Sequence, residues 1–190
     1  MRWLCLDPGA KRTGVAISSP EGTFAVPLTV LEHDAGGPLP EMVERLMREH
    51  RAEGLVIGLP LSMDGSMSSQ TRAALEVAVR LASHFDAVLE SPPGLLIPAN
   101  LPEPAAGSGA LTPGLMVRIL LWDERLSSWE AQRMTTARDA ASRKKAGREL
   151  LLDAHAAAVI LQSFLDAHAP VSSGLDGAHD QTADGADSAG

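Results

Sequence analysis

Carboxylates in this sequence stand where apolar elements stop. Asp7 follows the apolar run Leu4-Cys5-Leu6 and is cut off by Pro8-Gly9. Asp123 and Glu124 close the run Val117-Arg118-Ile119-Leu120-Leu121-Trp122, and Asp153 lies early in an alanine-rich segment. A charge at the end of a buried strand is costly unless a cation or a donor satisfies it. An Asp before Pro-Gly also simply begins turns, so Asp7 has meaning only if the fold brings other carboxylates to it. Carboxylates converging on an apolar-backed site repel one another unless cations lie between them. Hard oxygen ligands of this kind suit Mg2+ or Mn2+. Two such ions activate a water and stabilise the leaving oxygen of a phosphodiester.

The elements that must position these groups follow from the hydrophobic pattern. Leu4 to Leu6 and Gly14 to Ile17 flank a Pro/Gly-containing break that holds Lys11 and Arg12, and read as a β-hairpin. Ala25 to Leu31 reads as a third strand, at an edge because it contains Pro27. A helix from Glu41 to about His50 follows Pro40. Leu55 to Leu59 is a continuous apolar run, as a central strand covered on both faces requires. Ser68 or Ser69 is placed to cap the next helix, whose stripe of Leu75, Ala78, Val79, Ala82 and Phe85 belongs to a core. Val117 to Trp122 is the fifth strand, a helix is expected from about Trp129, and the last helix runs from Glu149 to about Ala167. Hairpins first and crossovers later imply a mixed five-stranded sheet with helices on both faces. In such a sheet Asp7 ends a central strand and meets Asp123 or Glu124 from the last strand and Asp153 from the last helix.

Residues 1–169 are expected to form one domain. It carries a Pro/Gly-rich insertion at about 87–116, and 170–190 is an acidic tail of disordered composition. A single Cys, Cys5, excludes internal disulfides and suits a reducing cytosol. No stretch has the length of a membrane span or a signal peptide, so a soluble, cytoplasmic protein is expected. The net charge of −8 is unevenly spread. Between 125 and 148, seven basic residues face two acidic ones, a local footprint for phosphates on an acidic body. A solvated basic helix face is the plainer meaning of such a run.

Four ordered blocks carry a resemblance. They are Asp7-Pro8-Gly9 with Lys11-Arg12 and Gly14-Val15-Ala16; Gly58-Leu59-Pro60 with Asp64-Gly65-Ser66; Asp123 to Ser128; and Asp153-Ala154 with Ala156-Ala157 and Ile160-Leu161-Gln162. Over about residues 1–168 the chain resembles the YqgF family of pre-16S ribosomal RNA nucleases, also called Holliday-junction-resolvase-like proteins. The resemblance implies a ribonuclease H-like fold and a metal-dependent nuclease using Mn2+ or Mg2+. It makes Asp7, Glu124 and Asp153 the catalytic, metal-binding carboxylates, with Asp123 either assisting or capping its loop. Lys11, Arg12, Arg125, Ser127, Arg143, Lys144 and Lys145 would contact nucleic acid. Ser19 stands where the family has an aspartate.

The resemblance implies RNA, the 5′ end of pre-16S ribosomal RNA, as substrate. Branched or single-stranded DNA is the alternative, and junction cleavage would call for a symmetric homodimer. A non-catalytic nucleic-acid-binding module and a phosphotransferase of the sugar-kinase type are the remaining readings. The latter lacks room for a second lobe in 190 residues. The histidines show no ligand spacing, Cys5 reads as packing, and Trp3, Trp122 and Trp129 read as core or subunit contacts.

Overall fold

The computed structural model describes residues 1–34, 36–61, 67–91, 117–126 and 145–169. Six strands form one sheet: β1 (Trp3–Pro8), β2 (Arg12–Ser18), β3 (Ala25–Glu32), β4 (Gly54–Leu59), β5 (Leu89–Glu90) and β6 (Arg118–Asp123). Their order across the sheet is β3-β2-β1-β4-β6-β5. β2 pairs antiparallel with both β1 and β3, whereas β1, β4, β6 and β5 pair in parallel, so β2 alone runs against the rest. This mixed sheet has β1 in the middle and β3 at an edge.

The strand count corrects the expectation of five. Leu89 and Glu90 add a two-residue edge strand beside Ile119 and Leu120, too short to show any alternation. It follows Asp86, which ends the preceding helix in the left-handed conformation at φ 50°, and Glu90 is clamped by Arg118 through bonds of 3.0 and 2.7 Å.

Period-two alternation sends the strand side chains to two cores. Leu4, Leu6, Leu55, Ile57, Ile119 and Leu121 pack with α1 (Leu39–His50) and α2 (Ser69–Phe85) through Val43, Met47, Ala74, Ala78 and Leu81. Trp3, Cys5, Ala16, Val56 and Trp122 pack with α3 (Lys145–Ala167) through Ala157, Leu161 and Phe164. Phe164 is met edge-on by Trp3 and Trp122, at centroid separations of 4.8 and 5.5 Å. Both faces are covered, which is why β1 and β4 read as unbroken apolar runs.

Local chemistry fixes the connections. The β1–β2 turn closes on a 2.8 Å bond from Gly9 N to Arg12 O. Ser68 caps α2 by accepting from Thr71 N at 3.1 Å, while Ser68 N donates back to Thr71 Oγ1 at 3.3 Å. The Thr71 hydroxyl also donates to Pro60 O, tying the start of α2 to the end of β4. α3 begins at Lys145, four residues before the expected Glu149. The helix expected from Trp129 lies outside the described residues. Among the described residues, no helix is long and apolar enough to cross a membrane.

α3 crosses β1, β2 and β3, and it comes closest at Gly14. A Cβ built there would sit 2.0 Å from Asp153 O and 3.2 Å from Ala154 N, so only glycine lets the helix lie this near the sheet. Gly14→Ala should therefore destabilise the protein by about 2–3 kcal/mol. That corresponds to a fall in melting temperature of roughly 5–10 °C by circular dichroism. An unchanged melting temperature would show that the contact is not a constraint.

Candidate active site

The residues that share a face with the α3-side core lead to the site. Cys5 points toward α3, and Asp7, two residues on, extends the same row past the end of the apolar packing. Opposite Asp7 in the antiparallel register stands Gly14, whose missing side chain admits the Asp153 backbone. One pairing thus delivers both acids: β1 carries Asp7, and the helix seated on its partner strand carries Asp153.

Glu124 arrives from the far side. β6 ends at Asp123, and a single 3-10 turn, Glu124–Leu126, follows. Glu124 is brought to Gly58 of β4, where a Cβ would lie 2.6 Å from Glu124 Oε1 and 2.9 Å from Ile160 Cδ1. Gly58 therefore makes the space in which this carboxylate and an α3 side chain meet. Asp123 turns elsewhere. It is buried and accepts from Arg125 N at 3.0 Å, from Arg125 Nε at 3.0 Å and from Arg125 Nη2 at 2.6 Å. This capping of its own loop holds Arg125 in a fixed place.

The electrostatics mark Asp7 and Glu124 as the strained pair. Burial, and then the charge of Asp153, raise the Asp7 carboxyl from 3.8 to about 6. Burial, then Asp7, then Asp123 raise Glu124 from 4.5 to about 7. The Cys5 thiol beneath them is pushed up by burial and by the same two acids, so it stays protonated. Asp153 meets a cation: Arg12 Nε lies 3.4 Å from its Oδ2. Lys11 is exposed at the hairpin tip, with its carbonyl accepting from His33 N at 3.0 Å. His33 Nε2 also bonds the fully buried Thr13 hydroxyl at 2.8 Å, so this histidine, unassigned by its spacing, braces the hairpin. Ser127, Arg143 and Lys144 lie outside the described residues, and of Lys145 only the helical backbone is described.

The donor set fits a hard divalent cation in its chemistry. Its oxygens are anionic and partly buried, and burial first and mutual repulsion second raise two of the carboxyl pKa values. Among the described residues, no group of three Asp, Glu, His or Cys side chains is gathered closely enough to hold an ion as it stands. The acids instead interact pairwise, Asp7 with Asp153 and Asp7 with Glu124.

A family model and several relatives match the chain. The family model described as "RuvX: Holliday junction resolvase" matches residues 1–91 and 108–167. A "Putative pre-16S rRNA nuclease" of Thermoanaerobacter pseudethanolicus is 30% identical over 166 residues, covering 87% of this chain and 96% of its own. A protein of the same description from Geobacillus thermodenitrificans is 33% identical over 168 residues, covering 87% and 98%. Among solved structures, Thermus thermophilus RuvC in complex with a Holliday junction substrate aligns at a TM-score of 0.45 and 14% identity. That alignment covers 89% of this chain and 97% of the other.

Raised carboxyl pKa values make the metal-free protein less stable as pH rises. The contribution of Asp7 is fully present below about 4, where it is protonated folded and unfolded, and is lost as pH passes through about 6. Glu124 extends the loss to about 7. In EDTA, Asp7→Asn should raise the melting temperature at pH 8 by roughly 3–6 °C, from about 1–2 kcal/mol after allowance for solvent screening. At pH 4 the difference should vanish. Equal melting temperatures at both pH values would remove the repulsion from the account.

Proposed function

This chain belongs to the RuvX family, and on that premise we propose that it is a divalent-metal-dependent nuclease that processes the 5′ end of pre-16S ribosomal RNA in the cytoplasm. It is an enzyme of phosphodiester hydrolysis, and its substrate is a nucleic acid. The preference for RNA is supported by the description of its relatives as pre-16S rRNA nucleases.

The observation that carries the catalytic reading is that acids from three elements act through Asp7: beyond burial, Asp153 raises the Asp7 carboxyl, and Asp7 raises that of Glu124. Asp7, Glu124 and Asp153 would hold the ion, Mn2+ or Mg2+. Once bound, such an ion lowers the pKa of a water and neutralises charge on the phosphate. The chain's other residues bind and orient. Lys11 and Arg12 at the hairpin tip supply positive charge where a phosphate would approach. Arg125, locked by Asp123, offers a guanidinium whose position is set before substrate arrives. Ser127, Arg143, Lys144 and Lys145 extend this basic surface in the reading proposed here. The apolar floor of Cys5, Val56 and Ile160 excludes water beneath the acids and strengthens every charge interaction above it. Residues 1–169 make up the nuclease domain in this reading.

A second reading, cleavage of branched DNA by a symmetric homodimer, is favoured by the description of the matching family as a Holliday junction resolvase. One assay separates the two. Matched single-stranded RNA, single-stranded DNA and a four-way junction are incubated with the protein in Mn2+, Mg2+ or EDTA. Metal-dependent RNA cleavage that falls at least about 100-fold in Asp7→Asn is expected. Junction cleavage alone would select the second reading, and full activity of a folded Asp7→Asn protein would overturn both.

A further inference from the structure

The hairpin tip that carries Lys11 and Arg12 is held from two sides. On the β1 side, Gly9 N donates to Arg12 O at 2.8 Å and closes the turn. On the other side β3 ends at Glu32, opposite Arg12, and the next residue reaches back twice. His33 N donates to Lys11 O at 3.0 Å, which extends the β2–β3 ladder by one pair. Its ring bonds the Thr13 hydroxyl, with Nε2 2.8 Å from Oγ1. His33 Nδ1 lies 3.4 Å from Asp34 O, a carbonyl that only accepts. The proton of the neutral ring therefore belongs on Nδ1, and Nε2 accepts from Thr13.

Thr13 is fully buried, whereas His33 is half-buried and Lys11 is exposed. A buried hydroxyl deprived of its partner is costly, so the ring is kept on Thr13. Thr13 stands at a junction: Lys11 lies two positions before it, and Gly14, seated against the Asp153 carbonyl, follows directly. A partner serving only the hydroxyl need not also bind Lys11, yet His33 holds both residues, one by its ring and one by its main chain. We propose that His33 is a positioning residue for nucleic-acid binding, one that fixes where the hairpin presents Lys11 to a substrate phosphate without touching the substrate itself. This role rests on the reading of the tip as a phosphate contact given above and is independent of the metal site. Lys11 carries its charge on a flexible stem that partly follows a shifted backbone, so His33 tunes affinity by a few-fold.

The test is fluorescence anisotropy of a labelled single-stranded RNA over a salt series in EDTA, where neither cleavage nor a divalent ion enters. Lys11→Gln should weaken binding and lower the slope of log affinity against log salt by roughly 0.7, the value of one phosphate contact on a single strand. His33→Leu should weaken binding by about two- to fivefold at low salt and lower the slope in the same direction. His33→Gln, whose amide oxygen accepts a hydrogen bond in place of Nε2, should restore both. Thr13→Val, which keeps the volume and removes the hydroxyl, should reproduce His33→Leu and carries the comparison if His33→Leu does not fold. In a Lys11→Gln background the effect of His33→Leu should disappear, which a general loosening of the fold would not produce. Unchanged affinity and slope in folded His33→Leu and Thr13→Val, or an equal further loss in the Lys11→Gln background, would overturn the positioning role alone. Unchanged binding by Lys11→Gln would overturn the phosphate contact at the tip and the role of His33 with it.

Discussion

The structure depends on one close approach. α3 lies against β2 at Gly14 with no side chain between them, and everything on the α3 face of the sheet takes its position from that contact. It sets how deeply Phe164 enters between Trp3 and Trp122. It also sets where Asp153 stands beside Asp7, because Asp7 is the residue paired with Gly14 across the hairpin. A packing contact and a chemical site are therefore one feature. The helix cannot shift to relieve the carboxylates without opening the core beneath them.

That rigidity explains the electrostatics. Acids on flexible loops would relax apart, and their pKa values would return to ordinary values. Here Asp7 sits on a central strand, Glu124 in a tight turn directly after another strand, and Asp153 on a docked helix. Burial first, and repulsion after it, are stored as raised proton affinity, about 6 for Asp7 and about 7 for Glu124. The outer acids are relieved by arginines, Asp153 by Arg12 and Asp123 by Arg125.

Much of this was legible in the residues, and the exceptions have physical causes. Asp7 was visible because an apolar run stops at it, and the central place of β4 was visible because Gly54 to Leu59 tolerates no polar residue. The edge position of β3 followed from Pro27. Spacing alone left Asp123 and Glu124 interchangeable; the 3-10 turn at Glu124–Leu126 takes Glu124 out of strand alternation and brings it beside Gly58, and no periodicity announces such a turn. The side chain whose absence permits the near approach of α3 is on the strand, at Gly14, where no helical pattern points to it. β5 escaped notice because two residues carry no pattern. The roles of Ser127, Arg143, Lys144 and Lys145 rest on the resemblance, since their side chains lie outside the described residues.

The central claim is that Asp7, Glu124 and Asp153 converge to hold a divalent ion. Its most direct test is an anomalous difference map from crystals soaked in Mn2+ and measured near the manganese absorption edge. The account predicts a peak within ligand distance of Asp7 and at least one of the other two acids. Manganese bound elsewhere on a well-ordered chain, away from all three acids, would contradict it.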